Sequence, residues 1–159
     1  MSIDTERFTK VPLFEKLNPD EVASLLEIAE DVLPEAGDVV VEEGSDGDAF
    51  YVISDGVFDV VQGGSSALEQ KVMARLEEYS FFGEMALVSA DKRSASVHCV
   101  KEGRLKRFPL DAFQAKLDDG DLAAYKVTHA MARILAQRLN RVQKRFITEF
   151  LALTAGHVC

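Results

Sequence analysis

The residues of this sequence best suited to chemistry lie close together, in residues 82–97. Gly83 permits a sharp backbone turn because it has no Cβ. The Glu-Met-Ala-Leu run after it consists of good helix formers, enough for about one turn. Free N–H groups at the start of a helical turn attract a phosphate. Arg93 can add a two-pronged charged contact to the same phosphate.

The carboxylate of Glu84 is the second chemical group in this segment. An ionised carboxylate only accepts hydrogen bonds, so it suits a sugar hydroxyl and is poorly suited to the phosphate itself. Taken alone, Glu84 and Arg93 would be a structural ion pair beside a turn. The two pieces at this separation instead favour a nucleotide site, whereas a lone Gly-Glu or Arg-Ser would be too common to be informative.

This segment closely resembles the phosphate-binding cassette of the cyclic nucleotide-binding domain family. The family pattern is Phe-Gly-Glu, a small or apolar residue, Ala or Gly, and Leu, then after a variable loop Arg-Ser/Thr/Ala-Ala-Ser/Thr-Val. Here residues 82–87 and 93–97 match it. The family includes catabolite activators, regulatory subunits of cAMP-dependent protein kinase and cyclic nucleotide-gated channels, and this chain is similar to a single-domain, bacterial-type member. Lys92 departs from the pattern, because many relatives have proline there; lysine gives up some loop rigidity and adds positive charge near the phosphate.

The resemblance implies a role for each cassette residue. Arg93 would neutralise the cyclic phosphate, Glu84 would accept from the ribose 2′-hydroxyl, and backbone N–H groups would complete the cradle. In the family, threonine after the arginine is linked to cGMP and alanine to cAMP, and serine occurs with either, more often cAMP. Ser94 therefore favours cAMP over cGMP, unless it is only a strand residue bonded to its neighbour. The expected ligand-binding residues are Phe82, Gly83, Glu84, Met85, Ala86, Arg93, Ser94 and Ala95.

A helical segment, residues 1–37, is expected to precede the β structure. Residues 1–32 are predicted to be helical, and Asn18-Pro19-Asp20-Glu21 is a good helix start, with Asn18 as the cap. Apolar residues between Val22 and Ala29 recur at helical spacing and would form the buried face of this helix. Pro34 and Gly37 would end it.

Residues 38–109 carry a β signal. Short strand-like runs at 38–43, 49–53, 57–61, 69–76, 94–100 and 105–108 are separated by polar and glycine-containing turns, one of them at 63–66. Asp55-Gly56 is predicted to be a tight hairpin turn, and Val72 and Leu76 are predicted to point inward. The pattern predicts a mainly β fold, a jelly-roll barrel with N-terminal helices and a long C-terminal helix, in one domain overall.

The C-terminal segment, residues 110–159, is predicted to contain a short helix and then a long one from Leu122 to about Leu153. The apolar seam of the long helix is longer than a small barrel needs to cover, so its distal part would suit pairing with a second copy, as in a two-stranded coil. This predicts a homodimer through the C-terminal helix. The seam consists of Val127, Met131, Leu135, Leu139, Val142, Phe146, Phe150 and Leu153.

The roles of Arg138 and Arg141 on this helix can be interpreted in two ways. Such charges usually form a solvated helix face. The resemblance implies a sharper role, since family members use the C-terminal helix as a lid and channel-like members use an arginine there. An arginine plane can stack on a base through a cation–π contact. The catabolite-activator style of base contact does not fit Arg138 and Leu139, so the expected base lid is Arg138 or Arg141.

Composition limits the remaining functions. The net charge of −9 argues against broad nucleic-acid binding. No secretory signal or membrane-length apolar run is present, which indicates a cytoplasmic protein. Cys99, expected to be buried, and the terminal Cys159 do not form a disulfide framework. The three histidines, His157 among them, lack metal-ligand spacing, so no metal is expected and no cofactor beyond cAMP or cGMP as ligand.

The sequence thus predicts a regulatory sensor in which a bound cyclic nucleotide repositions the C-terminal helix and signals to a dimer mate or an unidentified effector protein. One alternative is a transcription-regulator-like fragment lacking its DNA-binding domain. Only ten residues follow Glu149, so no direct DNA binding is expected of this chain. The other alternative is an interaction module that binds no ligand. No nucleophile–base pair stands out, and an enzyme is the least favoured reading.

Overall fold

Helices from both ends of the chain pack against an antiparallel sheet in the computed structural model, which describes residues 3–63 and 69–156. The predicted turn at 63–66 lies largely outside these residues, as do His157 and Cys159. Short 3₁₀ helices span Pro12–Phe14 and Glu84–Leu87. The other elements are α1 (Ile3–Phe8), α2 (Pro19–Leu26), β1 (Glu30–Val32), β2 (Val39–Val41), β3 (Ala49–Gln62), β4 (Lys71–Leu76), β5 (Phe81–Phe82), β6 (Ser96–Pro109), α3 (Leu110–Asp118) and α4 (Leu122–Ala155).

Two 14-residue strands, β3 and β6, form the centre of the sheet. They pair antiparallel from Ala49 opposite Pro109 to Val61 opposite Ser96. Strands β1 and β2 pair with β6, and β4 and β5 pair with β3. The predicted mainly β fold with flanking helices and a long C-terminal helix is confirmed, although hydrogen bonding among the described strands does not close the sheet into a complete barrel.

The predicted hairpin turn at Asp55-Gly56 is wrong, because β3 continues through it as one strand. The register against β6 shifts on both sides of Asp55, which marks a β-bulge. Gly56 has a φ of 101°. A Cβ on the facing Gly103 would lie 2.2 Å from the carbonyl oxygen of Asp55. Here the glycines permit the close approach of two strands, a role that the dipeptide alone does not distinguish from a turn.

Replacing Gly103 by alanine is therefore expected to destabilise the protein by about 1–3 kcal/mol, because the new methyl group forces the bulge apart. Denaturant unfolding measures this. Gly156→Ala is the matched control, since a Cβ there makes only ordinary contacts at 3.6 Å or more. Equal unfolding midpoints for the two variants would contradict the role assigned to the bulge.

The predicted helix start at Asn18 is confirmed, but the helix is shorter than predicted. The side chain of Asn18 accepts from the Glu21 N–H at 2.9 Å, and the Glu21 carboxylate accepts from the Asn18 N–H at 3.1 Å. α2 ends at Leu26, and β1, predicted to be helical, pairs instead with β6. The apolar period continues past Leu26, so only the non-local pairing with β6 ends the helix there.

Alternate residues of β3 face two different apolar clusters, as a strand with a period of two requires. Phe50 packs among the helices, its ring stacked on Phe108 at 4.8 Å and edge-on to Phe113 at 5.2 Å. Tyr51 faces the other cluster, inside the curve of the sheet, and stacks on Phe82 at 4.9 Å. Of the residues predicted to point inward from β4, Leu76 is half-buried, but Val72 is exposed.

Helix α4 has a packed beginning and a projecting end. Asp121 caps it by accepting from the Ala124 N–H at 2.9 Å, and one face of its first turns is buried, at Ala123, Ala124, Val127 and Met131. Lys126 donates to Glu21 at 2.7 Å, which ties α4 to α2 and holds the pKa of Glu21 below its ordinary value. Every residue from 136 to 156 is exposed. In the described part of the chain, no helix combines the length and the hydropathy that a membrane crossing requires.

Candidate ligand-binding site

Gly83 shapes the first half of the predicted cassette. It adopts a left-handed conformation, with φ 79°, immediately before the 3₁₀ helix of residues 84–87. A Cβ on Gly83 would lie 2.6 Å from Arg93 Nη1 and 3.1 Å from the carbonyl oxygen of Ala49. Glycine is needed there both for the backbone turn and for the space that the Arg93 side chain occupies.

Arg93 is a nearly buried cation, and its side chain is only 7% exposed. Nη2 donates to the carbonyl of Ala49 at 2.8 Å, and Nη1 donates to that of Gly83 at 3.2 Å. Nη2 also lies 3.7 Å from the carboxylate of Asp48. The buried Nε finds no hydrogen-bond acceptor among the described residues. A buried donor without a partner is costly, and a cation this far from water is best balanced by an anion, which the adjoining cavity could admit.

Glu84, at the start of the cassette, contacts helix α4 through Arg138. The Glu84 carboxylate is largely buried, and its Oε1 accepts from Arg138 Nη1 at 3.1 Å. The guanidinium of Arg138 also lies over the ring of Phe81, 5.0 Å from its centroid. Arg138 thus connects the projecting helix to the cassette, and Oε2 of Glu84 is left for another donor.

Arg138 and Arg141, equivalent in the sequence prediction, differ in the structure. Arg138 lines the cavity beside the cassette, whereas Arg141 is exposed on the projecting part of α4 and is not part of that wall. The helix phase explains this difference. Arg138 follows the buried Met131 by seven residues, close to two turns, so both point to the same side. The choice of lid residue stays a prediction.

A cavity of about 520 Å³ lies between the cassette, the sheet and Arg138, which is in the size range of small-molecule sites. Val41, Val60, Ala74 and Leu76, from three strands, form an apolar wall opposite the cassette. The sequence analysis did not identify these residues, although alternation along the strands could have nominated them. Every expected ligand-binding residue lines the cavity: Phe82, Gly83, Glu84, Met85, Ala86, Arg93, Ser94 and Ala95. Their ligand contacts stay predictions.

A loop of residues 44–48 closes the Arg93 end of the cavity, where the sequence analysis predicted only a polar, glycine-containing turn. The Arg93 N–H donates to the Ser45 carbonyl at 2.8 Å, and the Gly44 N–H donates to the Arg93 carbonyl at 2.9 Å. A Cβ on Gly47 would lie 2.6 Å from the Cβ of Ala86, so the loop packs directly on the cassette. From the tip of the loop, Asp46 pairs with the ammonium of Lys92.

In the described residues, neither Cys99 nor a cluster of potential metal ligands indicates a further reactive or metal-binding site. Cys99 is buried as expected, and burial raises the pKa of its thiol. Within the described ranges, no group of three or more His, Cys, Asp or Glu side chains is placed to hold a metal ion.

Comparisons with known proteins agree with this geometry. The family model described as Cyclic nucleotide-binding domain matches residues 34–119. The chain is 29% identical over 156 residues to the cGMP-dependent protein kinase egl-4 of Caenorhabditis elegans, a match covering 94% of this chain and 20% of the kinase. It is 32% identical over 111 residues to the cAMP-dependent protein kinase regulatory subunit of Aspergillus fumigatus, covering 68% of this chain and 25% of the subunit.

Among solved structures, the catabolite activator protein of Thermus thermophilus superimposes with a TM-score of 0.75 at 27% identity, covering 85% of this chain and 61% of the activator. The two curated relatives are far longer than this chain, which spans at most a quarter of either. The part that the family model matches contains the cassette and most of the sheet.

Proposed function

The chain belongs to the cyclic nucleotide-binding domain family, and on that premise we propose that it is a regulatory sensor whose ligand is a cyclic nucleotide. The observation that carries the proposal is Arg93, a nearly buried cation with an unpartnered Nε, in the wall of a cavity of about 520 Å³. A buried, preorganised guanidinium is suited to a phosphate, because its planar fork of N–H donors can bind two phosphate oxygens at once.

The ligand would lie along the cavity with its groups matched to the wall. Its cyclic phosphate meets Arg93 and the backbone N–H groups of the cassette, and its ribose 2′-hydroxyl donates to the Glu84 carboxylate. The base lies against the apolar wall that includes Val41 and Val60, near the guanidinium of Arg138. This order follows the chemistry of the cavity wall, which is cationic at Arg93, a hydrogen-bond acceptor at Glu84 and apolar at Val41 and Val60.

We propose cAMP rather than cGMP as the preferred ligand, on the basis of Ser94. Serine after the arginine occurs more often with cAMP in the pattern that this cassette resembles, and Ser94 lines the cavity. The relatives do not decide the matter, because one is named for cGMP and the other for cAMP at similar identity.

The output of the sensor would be the position of α4. The Glu84–Arg138 pair attaches α4 to the cassette. A ribose hydroxyl donating to Glu84 competes with or reorients that pair, so the ligand interacts differently with two positions of the helix. A ligand shifts a conformational equilibrium only through such differential contacts. The chain would act by binding alone, signalling through α4 to a second copy of itself or to an effector protein.

Calorimetric titration of nucleotide-free protein with cAMP and cGMP, and with 5′-AMP as the control ligand, tests the proposal. We expect micromolar or tighter binding at one site per chain, with cAMP tighter than cGMP and 5′-AMP weaker than both. Absence of heat with both cyclic nucleotides, on protein verified as folded, would exclude the sensor and favour an interaction module.

Arg138→Gln is expected to weaken cAMP binding about fivefold. The variant removes a cation beside the base, a contact worth about 1 kcal/mol. Arg141→Gln is the matched control, because it removes the same charge one turn further along α4, outside the cavity. Equal affinities of the two variants for cAMP would contradict the proposal that Arg138 contacts the base.

A further inference from the structure

Lys92 is a cation of the cavity wall that the proposed contacts leave without a role. It directly precedes Arg93 and lines the same cavity. The Lys92 side chain is 65% exposed, and its ammonium pairs with the carboxylate of Asp46, whose side chain is 82% exposed at the tip of the 44–48 loop. Both partners are therefore among the more accessible charges of the site.

Carboxylates lie beside the cations of the wall. Arg138 is paired with Glu84, and Arg93 lies near Asp48. The remaining carboxylate of the wall, that of Asp91, accepts from the Ser89 hydroxyl at 2.8 Å. Because the whole chain carries a net charge of −9, an anionic ligand must be held by local cations against an unfavourable field.

The Lys92–Asp46 pair is the easiest of these to exchange. Arg93 is fixed by two backbone carbonyls and is nearly buried. Lys92 is a point charge on a flexible stem, and exposed ion pairs of this kind contribute little stability. Turning the ammonium from Asp46 towards a phosphate at Arg93 therefore costs little. The loop itself can stay in place, because backbone hydrogen bonds hold it at residue 93.

We propose that Lys92 is a second phosphate-binding cation of this site and that Asp46 is its built-in competitor, an inference that rests on the proposed function. In the free protein Asp46 holds the ammonium at the rim of the cavity. In the complex the ammonium moves to the ligand phosphate, and the Asp46 carboxylate returns to water. Asp46 thereby lowers the affinity without contacting the ligand, since each ligand phosphate must draw the Lys92 ammonium away from it.

Titration with cAMP, and with cGMP in parallel, at two salt concentrations tests this inference. Lys92→Ala is expected to bind about tenfold more weakly, with a shallower dependence on salt, because one charged contact to the phosphate is lost. Asp46→Asn is expected to bind about threefold more tightly, because the competing charge is gone. Lys16→Ala, an exposed lysine elsewhere, is the control for net charge.

The double variant Lys92→Ala/Asp46→Asn separates this exchange from a general field effect. The gain from Asp46→Asn should vanish when Lys92 is absent, because the two side chains act through each other. A gain that persists without Lys92, or a Lys92→Ala variant that binds like Lys16→Ala, would overturn the inference while leaving the sensor intact. A parent chain that binds neither nucleotide would overturn both proposals.

Discussion

Replacing Arg93 by alanine is expected to weaken cyclic nucleotide binding by about 100-fold or more while the chain remains folded. Truncating one partner of a buried, hydrogen-bonded charge pair costs about 2–5 kcal/mol of binding free energy. Arg93 meets that description because its side chain is 7% exposed and fixed by the carbonyls of Ala49 and Gly83. Both carbonyls belong to backbone that the sheet and the turn at Gly83 hold independently, so the fold should persist.

Two further variants make the Arg93 prediction specific. Arg93→Lys keeps the charge but loses the planar fork, and we expect it to bind with an affinity between those of the parent and Arg93→Ala. Arg145→Ala removes the same charge from an exposed position of α4 and should bind like the parent. Titration calorimetry measures the affinities, and circular dichroism checks the fold. If folded Arg93→Ala retained the parent affinity, the cassette would no longer explain binding.

Phe146→Glu is expected to convert a dimer into a monomer. The distal seam residues Leu139, Val142, Phe146, Phe150 and Leu153 are between 56 and 70% exposed in the single chain. They recur at spacings of three and four on a helix whose residues 136–156 are all exposed, a narrow stripe typical of a two-stranded coil. A carboxylate in that seam would face its symmetry mate in an apolar contact and weaken the pairing about 100-fold or more.

Light scattering measures this change directly. The parent chain should have a mass of twice 17.5 kDa, and Phe146→Glu a mass of 17.5 kDa. Thr148→Glu is the control, because it adds the same charge two residues away, well outside the seam. A parent chain that stays at the monomer mass at high concentration would remove the seam as an interface, as would a Phe146→Glu variant that stays dimeric.

The sequence led to the candidate site because the residues of its cassette are close neighbours in the chain, and their ligand contacts stay a prediction. Glu84 and Arg93 belong to one short segment, and the Gly83 turn between strand and 3₁₀ helix needs only neighbouring residues. The family and the mainly β fold followed from the same local patterns. The loop that packs on the cassette through Gly47 was missed, because that contact joins residues almost 40 positions apart.

The errors arose where two structures share one local signal. Asp55-Gly56 is as suitable for a bulge as for a hairpin, and only the approach of Gly103 from β6 distinguishes them. Residues 30–32 continue the helical period of α2, but they form a strand because they pair with β6. The choice between Arg138 and Arg141 was left open rather than wrong, because the two differ only in helix phase, which the packing of Met131 sets.

Arg138, the proposed lid residue, and the seam lie on one uninterrupted helix, in which Arg138 and Leu139 are consecutive. A shift of α4 that alters the Glu84 contact must also alter how the seam is presented to a second copy. Coupling free energies are reciprocal, so ligand occupancy and self-association would each bias the other by the same factor. The nucleotide level that half-fills the site would then depend on how concentrated the protein is. The expression level of the protein would in that case help to set the nucleotide concentration to which the sensor responds.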